Sequence, residues 1–163
     1  MNTGQTLISI GALLILSLTI LRVNTRILST DIVMQDSKLG VLAVSVATSI
    51  IEEASKKAYD AASAEEAVID LSSLTSPYSL GPATGETPEN FNDFDDYNGY
   101  TKHDTVNTID YTIACKVNYV NPYNLDEIIM EKTWHKKITI YITSSLMNDT
   151  LKFSSVYSYW QFR

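Results

Sequence analysis

QTLISIGALLILSLTIL, residues 5–21, is an uncharged and mostly apolar run near the first residue of the chain. No side chain between Met1 and Leu21 carries a charge, and Arg22 and Arg26 follow the run. A helix of about 20 residues, rising about 1.5 Å per residue, spans the ~30 Å hydrocarbon layer of a bilayer. The sequence therefore predicts a membrane-crossing helix over residues 5–28.

This run has three interpretations. A secretory signal peptide begins with basic residues and ends in an Ala-x-Ala-like cleavage site. Here the start is MNTG and the run is followed by RVNTR, which disfavours a signal peptide. A plain signal anchor is the simplest alternative. In the third interpretation, a short leader, residues 1–4, is cut off after Gly4, and the apolar run stays in the mature protein.

The residues that follow favour a helix that continues beyond the membrane. Residues 6–62 contain no proline, and the first proline is Pro77. Apolar residues recur at three- and four-residue spacing, which places them on one helical face: Leu39, Leu42, Val46, Ile50 and Ala54. The charged residues Glu52, Glu53, Lys56, Lys57 and Asp60 lie off this stripe and are interpreted as a solvated face. We predict an amphipathic helix over residues 29–71, and a helix reaching residue 62 would measure about 85 Å.

Residues 72–105 have the composition of a loop, with three of the four prolines and three of the six glycines. The segment FNDFDDYNGY clusters acids beside Gly99, which suits the oxygen ligands that Ca²⁺ prefers. The candidate ligands are Asp93, Asp95, Asp96 and Asn98. The EF-hand pattern does not fit, because Phe94 would stand at its first ligand position. The alternative is a solvated acidic loop, pinned to the domain by Phe91, Phe94, Tyr97 and Tyr100.

Residues 106–163 carry the pattern of an antiparallel sheet. Over residues 109–119 the odd positions are mostly apolar and the even ones polar or small, which predicts a strand with one buried face. A second strand aligns Ile128, Met130, Trp134, Ile138, Ile140 and Ile142, and a third aligns Leu151, Phe153, Tyr157 and Tyr159. Three strands alone are not stable, so the outer half of the helix is expected to cover their apolar face. The predicted fold class is α+β, a long N-terminal membrane-spanning helix packed on a C-terminal β-meander.

Composition excludes several functions. The chain of 163 residues has a net charge of −7, which argues against nucleic acid as a partner. A single cysteine cannot form an internal disulfide, and with two histidines it disfavours a zinc site. Cys115 falls on the apolar face of its strand and is expected to be buried and inert, while His135 is expected to be an exposed strand residue. Without a nucleophile–base pair or a phosphate loop, we predict no enzyme and no cofactor beyond the calcium candidate.

Five features of the chain together resemble type IV pilins and type II secretion pseudopilins: the leader ending at Gly4, the QTLIS start, the long apolar helix, the variable loop and the C-terminal meander. The segment FNDFDDYNGY is also similar to a segment of minor pilins of the mannose-sensitive haemagglutinin type. The resemblance implies cleavage between Gly4 and Gln5 by a prepilin peptidase, and methylation of the new N-terminus. It also implies a helical filament core that includes Leu7, Ile8, Ser9, Leu13, Leu14 and Leu16. The implied partners are copies of this chain or other pilins, the pilus assembly machinery, and membrane lipid before assembly. The implied location is the inner membrane with an extracytoplasmic domain, then a cell-surface filament.

The chain departs from the family pattern at its N-terminus. Asn2 and Thr3 replace the usual basic leader residues, Gln5 replaces the usual Phe, and Ser9 stands where bacterial pilins place a Glu that pairs with a neighbour's N-terminal amine. A tip or initiating subunit and a divergent class both fit these departures. By the positive-inside rule, the basic residues Arg22 and Arg26 after the apolar run would favour a cytosolic C-terminal domain. Pilins have the opposite orientation, and we adopt the pilin orientation. The alternative function is a single-pass anchored binding module that displays the acidic loop.

Overall fold

The structure, a computed structural model, describes the backbone of residues 2–162 and the side chains of residues 2–160. In this part of the chain one long helix precedes five strands. The elements are α1 (Thr3–Ser55), β1 (Thr101–Val106), β2 (Ile109–Asn121), β3 (Asn124–Ile128), β4 (His135–Ser144) and β5 (Leu151–Ser158). This order confirms the α+β layout of an apolar N-terminal helix followed by an antiparallel sheet. Contacts divide the chain into two units, residues 1–40 and 41–163, which are described separately.

In the first unit, α1 runs without interruption, since this part of the sequence contains no proline. Its hydroxyl side chains bond to carbonyls of the preceding turn. The Thr25 hydroxyl donates to the Leu21 carbonyl at 2.9 Å and the Ser29 hydroxyl to the Thr25 carbonyl at 2.9 Å. Because each of these hydroxyl groups is bonded to the helix backbone, it leaves no unpaired hydrogen-bond donor on an otherwise apolar surface.

In the second unit, α1 buries a narrow face made largely of alanine. Ala43, Ala47, Ile50 and Ala54 are buried, whereas Leu42 and Val46 are half-buried. The predicted Leu39, Ile50 and Ala54 are thus buried, whereas in the middle of the stripe the adjacent alanines take the places predicted for Leu42 and Val46. Small side chains at the centre of the stripe permit a close approach of the neighbouring elements, with the larger Leu42 and Val46 at its margins.

Helix α1 ends at Ser55, well before residue 71, so the predicted amphipathic helix over residues 29–71 was too long. The alanines that favoured continuation lie in a segment whose backbone pairs elsewhere. The Ala58 amide donates to the Asn92 carbonyl at 3.2 Å, and the Ala58 carbonyl accepts from the Phe94 amide at 2.8 Å. A short 3₁₀ turn, Ala61–Ser63, follows, with Asp60 as its N-cap. Tertiary pairing here outweighs helix propensity.

The sheet has the order β1-β2-β4-β5, with antiparallel pairing throughout, and β3 pairs with the end of β2. Its predicted alternation is confirmed. Tyr111, Ile113, Cys115, Val117 and Tyr119 of β2 are buried, as are Ile138, Ile140 and Ile142 of β4. These side chains and the buried stripe of α1 contribute to the core of the second unit.

Two strand predictions were wrong. The sheet begins at Thr101, inside the segment predicted as a loop, because β1 is a polar edge strand without a buried face to mark it. The predicted second strand is two strands, β3 and β4, with residues 129–134 between them. Ile128 and Met130 are accordingly exposed, at 51% and 61%, where the single-strand alignment placed them on the apolar face.

Candidate functional site

The residues predicted to form a filament core all lie on α1 in the first unit. Leu7, Ile8, Ser9, Leu13, Leu14 and Leu16 are exposed, as are Gly4 and Gln5 at the predicted processing site. An 18-residue window of this helix has a mean hydropathy of 2.2, and none of that window is buried. A helix that is apolar on every side requires an apolar environment, and this one is long enough to cross a membrane.

The acidic loop has a different structure from the predicted solvated one. Asp93, Asp95 and Asp96 are buried. Oδ1 of Asp93 accepts the amide of Asp95 at 2.9 Å and that of Asp96 at 3.2 Å, and Oδ2 of Asp96 accepts the amides of Asn92 and Asp93 at 2.9 and 3.1 Å. Asn98 bridges the Leu80 carbonyl at 2.8 Å and the Val117 amide at 3.0 Å. These side chains fold the loop by bonding its backbone.

The aromatic residues of this loop hold it against the core, as predicted. Phe91, Phe94 and Tyr97 are buried and Tyr100 is half-buried. The Phe91 ring lies edge-on to Tyr97 at 5.2 Å, and the Phe94 ring lies 5.0 Å from that of Tyr157 on β5. The Tyr97 hydroxyl donates to a Glu53 carboxylate oxygen at 2.8 Å, which also ties the loop to α1.

The calcium hypothesis finds no geometric support. Within the described residues, no three His, Cys, Asp or Glu side chains converge in an arrangement that could hold a metal ion. The carboxylates of Asp93, Asp95 and Asp96 point to backbone amides and to a lysine instead. Calcium binding through these residues and Asn98 stays a prediction.

Sequence reasoning missed a buried charge cluster, named the Lys136 cluster and formed by Asp60, Asp93, Asp95 and Lys136. The Lys136 side chain is fully buried, and its three ammonium protons have three partners. Nζ donates to Oδ2 of Asp60 at 2.7 Å, to Oδ1 of Asp95, and to the Tyr59 carbonyl at 2.9 Å. The rings of Tyr59 and Tyr119 close over the ammonium, with centroids 4.6 and 5.4 Å from Nζ.

The interpretation of Asp60 as part of a solvated helical face was wrong. Its carboxylate is buried and accepts hydrogen bonds from the backbone amide of Thr75 at 2.9 Å, the hydroxyl of Thr75 at 3.1 Å and the amide of Ala62 at 3.2 Å, besides Lys136. Burial would raise the pKa of Asp60, but the attraction of Lys136 and these hydrogen bonds lower it below its ordinary value. Asp60 is therefore a carboxylate at neutral pH.

Asp93 and Asp95 behave in the opposite way. Burial, followed by the charges of Asp95 and Asp96, raises the pKa of Asp93 from its ordinary 3.8 to about 8. Burial also raises the pKa of Asp95, although Lys136 opposes the rise. Oδ1 of Asp93 accepts the backbone amide of Asp95, and the side chains of the two residues interact electrostatically. At neutral pH the raised pKa of Asp93 consequently favours its protonated form.

This difference gives a pH-dependent stability. Because the native state holds the Asp93 proton more tightly than the unfolded chain, Asp93 contributes stability that is complete below pH 4 and is lost as pH rises toward 8. Asp93→Asn cannot ionise, yet its amide can accept from the Asp95 and Asp96 amides and donate to Asp95. We expect the variant to gain stability relative to the wild type by up to about 1.4 kcal/mol per pH unit between pH 5 and 8. Urea unfolding at both pH values measures this gain, and parallel pH profiles would contradict it.

The other two titratable residues discussed from the sequence, Cys115 and His135, lie in strands of the sheet, where their surroundings indicate a structural role. Cys115 is buried, and burial raises the pKa of its thiol to about 12, in agreement with the prediction of an inert cysteine. His135, predicted to be exposed, is half-buried, and its Nδ1 lies 2.7 Å from Oγ of its cross-strand neighbour Ser158. Cross-strand polar pairs of this kind are common in sheets.

The Lys136 cluster had one signal in the sequence. Lys136 occupies an even position of β4, in line with the buried Ile138, Ile140 and Ile142, so the alternation places a lysine on the apolar face. A charged residue at such a position requires a buried partner. Its partners lie 76 and 41 residues away along the chain, which local patterns cannot identify.

No protein-family model, no curated protein and no solved structure matches this chain.

Proposed function

We propose that this protein is a structural subunit of a type IV pilus-like or pseudopilus filament, assembled through its N-terminal helix. The observation that carries the proposal is the exposed apolar surface of α1, where four consecutive residues, Leu13, Leu14, Ile15 and Leu16, are each at least 55% exposed. Leaving such a side chain in water forgoes about 1.5–3 kcal/mol of burial. Lipid covers this surface before assembly, and the helices of neighbouring subunits cover it in the filament.

The second unit supports the same proposal. A pilin-like subunit covers the apolar face of its sheet with the outer half of its long helix. Here α1 has one buried stripe, centred on Ala43 and Ala47, and β2 and β4 have one buried face each. We propose that these faces pack together in the pilin manner and present the rest of the domain at the filament surface, outside the inner membrane.

Ser9 determines how the proposed filament departs from bacterial pilins. Serine is uncharged, and the Ser9 hydroxyl donates to the Gln5 carbonyl at 3.0 Å. This position therefore has no charge that could pair with a neighbour's N-terminal amine. A subunit of this kind stabilises its amine in another way, as an initiating subunit or as a member of a divergent class would. The proposed self-association consequently rests on apolar helix packing.

The alternative of an anchored module that displays an acidic loop has less support. Asp93, Asp95 and Asp96 are between 2% and 3% exposed, so they offer no carboxylate to an external ligand. A binding module of this chain would have to use another surface.

Processing at Gly4 provides the test. A Cβ added at Gly4 meets no heavy atom within 4 Å, so Gly4→Leu fits the helix sterically. We expect the natural protein to lack residues 1–4 and to sediment as a polymer after shearing from cells, whereas Gly4→Leu keeps residues 1–4 and stays in the membrane fraction. N-terminal sequencing and sedimentation after detergent extraction measure both properties.

The matched control is Thr3→Leu, which places the same side chain one residue before Gly4 in an equally exposed stretch. It should mature and sediment as the wild type does. A natural protein that retains residues 1–4 and remains a detergent-soluble monomer would overturn the filament proposal and leave a plain membrane anchor.

A further inference from the structure

The Lys136 cluster brings together a primary amine and a carboxyl group in the arrangement of an amide-forming site. Nζ of Lys136 lies within hydrogen-bond distance of Oδ1 of Asp95 and 2.7 Å from Oδ2 of Asp60. A lysine amine is a nucleophile when it is deprotonated, and a carboxyl carbon is an electrophile when its oxygens are protonated or hydrogen bonded. Both reactants are already in contact, which removes most of the entropic cost of their meeting.

The surroundings of this pair exclude water. The side chains of Lys136 and Asp95 are 0% and 2% exposed, and the Tyr59 and Tyr119 rings flank the ammonium. As an ion pair alone the arrangement stabilises the fold poorly, since desolvating buried charges offsets much of their attraction. A dry site, on the other hand, favours condensation, because released water leaves and hydrolysis lacks its reactant.

The two remaining aspartates supply an acid and a base on opposite sides of the pair. Oδ1 of Asp93 accepts the backbone amide of Asp95 at 2.9 Å, and burial raises the pKa of Asp93, so its carboxyl group lies beside that of Asp95 and can supply a proton to it. Asp60 is a carboxylate in contact with Nζ, so it is the group positioned to take up a proton from Nζ when the amide forms. A pair of acidic groups in opposite protonation states is the usual requirement for acid–base assistance of one reaction.

We propose that Lys136 and Asp95 condense after folding into an intramolecular amide bond, assisted by Asp60 as proton acceptor and Asp93 as proton donor. This proposal concerns the second unit alone and is independent of filament assembly.

The reaction balances without a cofactor. The ammonium of Lys136 transfers one proton to Asp60, and the neutral Nζ attacks Cγ of Asp95. The Nζ–Cγ bond forms, a Cγ–Oδ bond breaks, and the departing oxygen leaves as water with two protons that originate on Nζ. Asp60 and Asp93 return to their initial protonation states, and no group is oxidised or reduced. The net charge does not change, since one positive and one negative group disappear together.

The bond would connect the loop of residues 91–100 to β4 covalently. It closes a chain segment between residues 95 and 136, which constrains the unfolded chain as a disulfide does. The chain has a single cysteine and therefore no internal disulfide, and the amide would give the second unit a covalent cross-link of another kind.

The test is mass spectrometry of the full chain purified in detergent. Trypsin should leave residues 58–102 joined to residues 133–137 in one branched species, lighter than the two peptides together by one water. Cleavage after Lys136 should be absent, because its amine is acylated. Fragmentation of the branched species should locate the link at Asp95. Separate, unmodified peptides would overturn the proposal, and so would a link at Asp60.

Two variants make the result specific. Asp95→Asn should form the same amide by loss of ammonia, so its branched species has the mass of the wild-type one. Asp95→Ala should give separate peptides. The pair Lys137–Asp126, with Nζ and Oδ1 2.6 Å apart and the Asp126 side chain 93% exposed, is an internal control that should stay unlinked. An unlinked Asp95→Asn protein together with an unlinked wild type shows an ordinary ion pair and refutes the bond. Leader cleavage at Gly4 does not affect these peptides, so this result and that of the filament test are separate.

Discussion

Replacing Lys136 with methionine is expected to destabilise the second unit by about 3–5 kcal/mol. Methionine has a similar length but no nitrogen, so the substitution leaves the buried Asp60 carboxylate without the donor that Nζ provides and removes the partner of Asp95, whether Nζ is an ammonium or has been acylated. Asp60 keeps its bonds from Thr75 and Ala62, but these do not replace the donor at Nζ. Because total stabilities are about 5–15 kcal/mol, a loss of this size approaches unfolding.

Tryptophan fluorescence during urea unfolding measures this effect. The two tryptophans, Trp134 and Trp160, both lie in the second unit, so the signal reports its unfolding even while detergent holds the apolar helix. The matched control is Lys137→Met on the neighbouring residue. Lys137 pairs with Asp126, whose side chain is 93% exposed, and such surface pairs contribute no more than about 1 kcal/mol. Equal effects of the two substitutions would contradict the assignment of Lys136 as a buried residue whose Nζ is paired.

The parts of the fold that were predictable are those with a local period. The apolar run of residues 5–21 predicts a helix because its length and lack of charge are visible in one window. The alternation over residues 109–119 predicts β2 and its buried face for the same reason. Strand β1 was not predicted, because this exposed edge strand of sequence TKHDTV has no periodic apolar residues that would indicate a strand.

The end of α1 and the Lys136 cluster were not predictable because long-range pairs determine them. Residues 56–62 favour a helix by composition, and the backbone bonds of Ala58 to Asn92 and Phe94 override that preference. The acids at positions 93, 95 and 96 have the composition of a solvated loop, and a lysine 41 residues from Asp95 makes its burial feasible. The burial of these acids could be inferred only by recognising that Lys136, a charged residue on the apolar face of β4, requires acidic partners from that loop. Cleavage at Gly4 and the filament core remain predictions.

Replacing Ile140 with aspartate is expected to unfold the second unit under conditions in which the wild type is folded. Ile140 is 0% exposed at the middle of β4, with Cys115 of β2 and Phe153 of β5 as its cross-strand neighbours. None of these side chains is a cation or a strong hydrogen-bond donor. A carboxylate there is unpaired and costs several kcal/mol, and a protonated one still loses the packing of isoleucine and buries a polar group. Circular dichroism should accordingly lose its strand component while the helix of the first unit, held in detergent, remains.

Tyr141→Asp is the control that separates this effect from a general intolerance of β4 to acids. Tyr141 is the next residue, is 36% exposed on the opposite face, and has Lys152 as its cross-strand neighbour, which can pair with a carboxylate. Since successive side chains of a strand point to opposite faces, a single step along β4 should change a loss of fold into a loss of about 1 kcal/mol or less. A folded Ile140→Asp protein with native tryptophan fluorescence would mean that the even face of β4 is not the buried one. That result would also remove the basis for placing Lys136 inside the domain.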